Sequence, residues 1–166
     1  MHQATSPLSP GVAVRREPAS EYGPRWVVAR AEAELVVRYG SLTANELRLT
    51  GSTFDPPFGA FLVARAAGQP EPIGGVGVRG VRAGTAEVRR LWVDPAWRGR
   101  GVARTLMAAL EDAAGALGFS ELELGTGDRQ PEAVGFYAST GWRQRTVDAE
   151  GRPVPAGTIR FTKSLA

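Results

Sequence analysis

The 166-residue sequence contains no cysteine. That removes disulfides, thiolate metal sites and a cysteine nucleophile in one step. The single histidine, His2, lies in the polar run Met1–Pro10, which excludes histidine-based catalysis and most transition-metal sites. No apolar run reaches the length that spans a bilayer. The first ten residues hold no apolar signal core and are expected to be flexible. Lysine is nearly absent: Lys163 is the only one, and arginine supplies the rest of the 20 basic residues set against 17 acidic ones. A cytoplasmic protein with no metal and no membrane partner is expected.

Hydrophobic residues make up 43% of the chain, so a folded core is expected, and the length fits a single domain over residues 11–166. The arginines are spread along the chain, with the tightest groups at Arg89-Arg90 and Arg98 to Arg104. That distribution suits the phosphates of one cofactor better than a nucleic-acid duplex, so nucleic acid is not expected as a partner.

The periodicities predict a short strand at Val12–Val14 and a helix over Pro24–Tyr39 that Gly40 stops. Trp26, Ala29 or Arg30, Ala33 and Val37 are its expected apolar face. From Ser41 to Gly59 the pattern weakens to one helical turn around Glu46 to Leu49, and Asp55-Pro56-Pro57 breaks any regular element. A loop this long is a candidate substrate lid. Strands at Ala60–Ala66, Ile73–Arg79 and Thr85–Val93 read as an antiparallel meander. A helix over Val102–Leu117 follows, with Val102, Leu106, Ala109, Leu110, Ala113 and Leu117 on one face. A strand around Leu122 and Leu124, a helix from Pro131 to Ser139, and strands at Trp142–Val147 and Thr158–Ser164 complete a mixed α/β sheet.

The segment Leu91-Trp92-Val93-Asp94-Pro95-Ala96-Trp97-Arg98-Gly99-Arg100-Gly101-Val102-Ala103 carries the chemistry. A strand runs into a basic glycine loop and then into a helix start, an order that suits a pyrophosphate. Arg98, Arg100 and Arg104 add positive charge. A dinucleotide fingerprint would need a third glycine where Arg104 stands, and a P-loop would need Gly-Lys-Ser/Thr. An ordinary basic turn before a helix is the plainer alternative.

Arg98-Gly99-Arg100-Gly101-Val102-Ala103 resembles the Q/R-x-x-G-x-G/A signature of the GNAT superfamily of N-acetyltransferases. Glu87 to Pro95 resembles that family's fourth strand. Gly125-Thr126-Gly127-Asp128-Arg129-Gln130-Pro131-Glu132-Ala133 and Phe136-Tyr137-Ala138-Ser139-Thr140-Gly141-Trp142 resemble its fifth-strand exit and following helix. The resemblance implies a twisted mixed sheet of about seven strands flanked by helices. It also implies transfer of an acetyl group from acetyl-CoA to a primary amine of a small molecule or peptide, by direct attack in a ternary complex. A non-catalytic acyl-CoA sensor on the same fold is the alternative.

By the same resemblance, backbone groups of Leu91, Trp92 and Val93 pair with the pantetheine arm, and one N–H polarises the thioester carbonyl. Arg98, Gly99, Arg100, Gly101, Val102, Ala103 and Arg104 hold the pyrophosphate, and Tyr137 is the general acid. Glu87 and Glu123 compete as general base. Many relatives carry Glu-Thr-Gly where Gly125-Thr126-Gly127 stands, so one common carboxylate is missing. The first helix and the loops Ser41–Gly59 and Ala149–Gly157 are expected to frame the acceptor. Glu34, Glu46, Asp55 and Asp148 are candidates for attracting a cationic amine. Exposed sheet edges offer a route to a homodimer.

Overall fold

The computed structural model describes residues 11–42 and 51–166. The run 1–10, the turn expected near Glu46 to Leu49, and Glu46 itself lie outside the described residues. The chain forms β1 (Val12–Arg16), α1 (Tyr22–Tyr39), β2 (Gly59–Ala66), β3 (Gly74–Arg82), β4 (Thr85–Val93), α2 (Val102–Ala116), β5 (Glu121–Gly127), α3 (Pro131–Ser139), β6 (Arg143–Arg145) and β7 (Thr158–Ser164). The strands make one seven-stranded sheet in the order β1-β2-β3-β4-β5-β7-β6. Every neighbouring pair is antiparallel except β4 and β5, which are parallel and joined through α2.

Both faces of this sheet are covered, which explains the unbroken apolar run in β2. Ala60, Leu62, Ala64 and Ala66 face the side packed by Val102, Leu106 and Leu110 of α2. Phe61 and Val63 face the other side, against Val27 and Ala31 of α1 and Phe54. On α2 the buried stripe is Val102, Leu106, Met107, Leu110 and Ala114, close to the expected face. The strand expected over Trp142–Val147 shortens to Arg143–Arg145, because Trp142 turns inward onto Tyr137 instead of extending the ladder.

The apolar face of α1 differs from the expected one. Gly23, Pro24, Val27 and Ala31 are buried, whereas Val37 is 86% exposed. Small residues decide the contact: α1 lies so close to the sheet that a Cβ on Gly75 of β3 would come within 2.9 Å of both Val27 methyls. A bulky face led by Trp26 does not fit that gap. The true stripe runs on, at helical spacing, into Glu34 and Arg38.

One irregularity organises the sheet around the site. Gly75 pairs with Trp92 but Gly77 pairs with Arg89, so Arg90 and Leu91 together oppose Val76. This bulge puts Arg90 in the left-handed region at φ 59°, unusual for a side chain with a Cβ. Arg90 is buried and paired with Glu32 of α1 at 3.3 Å. On the other edge of β4, pairing with β5 stops at Glu87 opposite Glu123. Past that point the two parallel strands part.

The α1–β3 contact gives a direct prediction. Gly75→Ala places a Cβ 2.9 Å from the Leu62 carbonyl oxygen as well as from Val27. Backbone cannot yield there, so the variant should lose about 1–3 kcal/mol of stability in urea unfolding.

Candidate functional site

The gap between the parted strands opens into a cleft of about 1210 Å³. Leu91, Trp92 and Val93 of β4 line one side and Leu124 to Gly127 of β5 the other. The α1 residues Glu34, Arg38 and Tyr39 close it from one face of the sheet. The start of α2 and the α3 residues Phe136 and Tyr137 contribute further wall. Beyond Glu87, β4 has no ladder partner on its β5 side among the described residues, so that edge is available to an extended ligand.

At the far end of β4 the chain turns through a 3-10 helix, Pro95–Trp97, into the glycine loop. Gly99 and Gly101 adopt φ 77° and 82°, and a Cβ at either position would meet nothing within 4 Å. Gly101 caps α2 without a side chain, and the first turn of α2 carries no acidic residue. Its leading N–H groups and the positive end of its dipole therefore lack the usual carboxylate or hydroxyl partner. This geometry suits a phosphate. The three arginines behave differently from one another. Arg98 donates Nε–H to the Val93 carbonyl at 2.9 Å and pairs with Glu34, which also accepts from Trp92 Nε1 at 3.1 Å. Arg100 stacks over Trp97 at 4.9 Å. Arg104 lines the cleft beside Val102 and Ala103.

Tyr137 lines the cleft yet is only 6% exposed. Its ring packs edge-on against Phe136 at 5.3 Å and Trp142 at 5.6 Å, and tilted on Phe161 at 5.7 Å. Burial pushes its phenol well above the ordinary value, because the phenolate would lose its hydration. Both adjacent aromatics border the cleft, and Tyr137 is the more deeply set. It is at once a core residue and a cleft residue.

The two glutamates offered as general base are placed differently. Glu87 lines the cleft and accepts from Arg79 Nη2 at 3.3 Å and Arg89 Nη1 at 3.2 Å. Glu123 is 4% exposed and does not line the cleft. Arg82 and Arg160 hold it from two sides, Arg160 Nη2 at 2.6 Å.

The acids suggested for a cationic acceptor have other employment. Glu34 is held by Trp92 and Arg98. Asp55 accepts from the Ala19 backbone N–H at 2.8 Å. Asp148 ties its own loop by accepting from the Glu150 and Arg152 N–H groups, both at 2.9 Å, and those bonds hold its carboxyl below the usual range. Arg38 and Tyr39 have no motif of their own, whereas the Arg129 and Glu132 they meet lie in the fifth-strand-exit motif. Arg38 pairs with Glu132 and donates to the Arg129 carbonyl at 3.0 Å, and Arg129 lies over the Tyr39 ring at 5.7 Å. The Arg38–Arg129 contact joins residues 91 apart, so only the spacing of Val27, Ala31, Glu34 and Arg38 on α1 could have pointed to Arg38.

Comparison with known proteins agrees with this geometry. The chain matches the model of the Acetyltransferase (GNAT) family over residues 19–142. An IAA acetyltransferase from Azospirillum brasilense is 36% identical over 85 residues, which span 51% of this chain and 55% of that protein. A GNAT-family acetyltransferase from Staphylococcus aureus superposes with a TM-score of 0.73 at 14% identity, covering 93% of this chain and 99% of its own. PaiA N-acetyltransferase from Thermoplasma acidophilum, solved with coenzyme A, superposes with a TM-score of 0.68 at 15% identity, covering 92% and 98%. The chain belongs to the GNAT family of acetyltransferases.

Proposed function

We propose that this protein transfers an acetyl group from acetyl-CoA to the primary amine of a small molecule or peptide, within a ternary complex in the cytoplasm. One observation carries the reading: a strand edge left open by the β4–β5 split leads into a bare helix N-terminus behind two left-handed glycines. An extended chain ending in a pyrophosphate matches both halves. Related structures from Thermoplasma acidophilum and Elizabethkingia anophelis hold coenzyme A and acetyl-CoA respectively.

Acetyl-CoA supplies the activated acyl group and a thiol leaving group. Backbone groups of Leu91, Trp92 and Val93 hold the pantetheine arm, and an N–H of this segment polarises the thioester carbonyl. Backbone N–H groups from Gly99 to Arg104 hold the pyrophosphate. The amine nitrogen bonds to the acyl carbon as the carbon–sulfur bond breaks; the nitrogen gives up one proton and the sulfur gains one. Glu87, on the cleft wall, is the group placed to take the first proton, directly or through water. Glu123, buried and off the cleft wall, acts instead as an ionic support within the sheet.

Tyr137 faces the departing sulfur. Its raised pKa keeps the hydroxyl protonated, so it donates a hydrogen bond throughout the working pH range. The same shift makes it a weaker acid than an ordinary phenol, so stabilising the developing thiolate is its main contribution. An acyl-CoA sensor would bind CoA equally well but acetylate no amine.

Substitutions at three positions test these roles. Gly101→Ala, forced into the left-handed region and projecting a methyl group into the cleft, should weaken calorimetric acetyl-CoA binding roughly tenfold, the worth of one charge-assisted hydrogen bond. Tyr137→Phe keeps the ring packing and should lower kcat by roughly 10²-fold with little change in acetyl-CoA affinity. Because the phenol titrates above its ordinary value of about 10, the wild-type rate should show no tyrosine-dependent fall below that pH. Glu87→Gln should lower kcat/KM for the amine by on the order of 10²-fold, and an unchanged rate would leave the proton to water alone.

A further inference from the structure

The apex of the split gathers four arginines away from the glycine loop. Glu87 accepts from Arg79 and Arg89, and Glu123 from Arg82 and Arg160. Four guanidiniums meet these two carboxylates, and Glu121 and Glu150 also act on Arg82. The two glutamates face each other across the last β4–β5 pair before the strands part. From Glu87 to Val93 is about 20 Å of strand, so the apex lies well away from phosphates held at Gly99 to Arg104. Along the cleft as a whole, arginine is in excess. Among the described residues lining it, seven are arginines and four are carboxylates.

Arg160 is the informative member. Its side chain is 18% exposed and lines the cleft, yet only Nη2 is engaged, on Glu123. Nε and Nη1 make no bond among the described residues. A half-buried guanidinium with part of its fork turned to a cavity suits a planar or tetrahedral oxyanion. A polycationic acceptor would meet repulsion at this end.

Resting on the N-acetyltransferase reading, we propose that the acceptor is an amine that also bears an anionic group, a carboxylate or a phosphate. Arg160 receives the anion and sets the amino nitrogen toward Glu87. Arg160 is thus a specificity-determining residue for the acceptor.

The test is calorimetric titration of the CoA-loaded protein with matched probes. One arm compares L-amino acids with their primary amides and their decarboxylated amines. The other compares phosphoethanolamine with ethanolamine. The anionic member of one arm should bind at least roughly tenfold more tightly than its neutral or cationic partner, and the preferred arm identifies the anion. Arg160→Gln should erase that ratio, and Arg160→Lys, which keeps the charge but not the fork, should restore part of it. A purely structural role for Arg160 would weaken all probes together and leave the ratio intact, which overturns the assignment. Neutral or cationic amines bound as well as the anionic ones, or no anionic probe bound at all, would overturn the acceptor class while leaving the acetyltransferase reading in place. Failure to load CoA would remove both.

Discussion

Everything at this site depends on two parallel strands that cease to pair. Neighbouring strands normally satisfy each other's backbone groups, and a strand edge left bare inside a protein is costly. Here β4 and β5 hold together for only three residue pairs and then part. The bulge at Arg90 bends β4 away, and that bend is kept in place from the α1 side, where Arg90 pairs with Glu32 and Trp92 donates to Glu34. A left-handed arginine is an unfavourable conformation, of order 1–3 kcal/mol, and persists where its surroundings over-determine it. The strain lies next to the cleft that it helps to open.

The second organising feature is the division of arginine between two ends of one cleft. At the proposed phosphate end the groups on offer are backbone N–H groups, and the nearby arginines are largely occupied: Arg98 with Val93 and Glu34, Arg100 with the Trp97 ring. At the apex the guanidiniums work against buried or half-buried carboxylates. A chain almost without lysine builds both ends from planar forks, which hold carboxylates bidentately and stay charged at any working pH. The net charge of +3 is therefore a statement about the site more than about the surface.

Much of this fold was legible from local pattern. The limits of β4 were plain because turn residues Gly84 and Asp94-Pro95 bound Thr85–Val93 on both sides. Pro131 and Gly141 likewise bracket α3. The glycine loop was legible because its chemistry is local to the run Arg98 to Arg104. The face of α1 was not: it is chosen by Gly75, far along the chain, which admits Val27 and Ala31 where Trp26 would clash. The separate fates of Glu87 and Glu123 were equally hidden. Both sit on the same face of adjacent strands, and the arginines that hold them come from β3, β4 and β7, so neither burial nor pairing could be read locally. Asp55 looked like a free acid because its partner is a backbone N–H group, and Asp148 because backbone N–H groups and the Arg152 side chain of its own loop hold it.

We propose that the open edge of β4 and the start of α2 together form one extended acyl-CoA site. Amide hydrogen exchange of the full chain, with and without acetyl-CoA, tests it most directly. Slowed exchange should concentrate at Leu91 to Val93 and at Gly99 to Arg104, the two bare backbone stretches. Binding with protection elsewhere, or no protection at saturating acetyl-CoA, would contradict it.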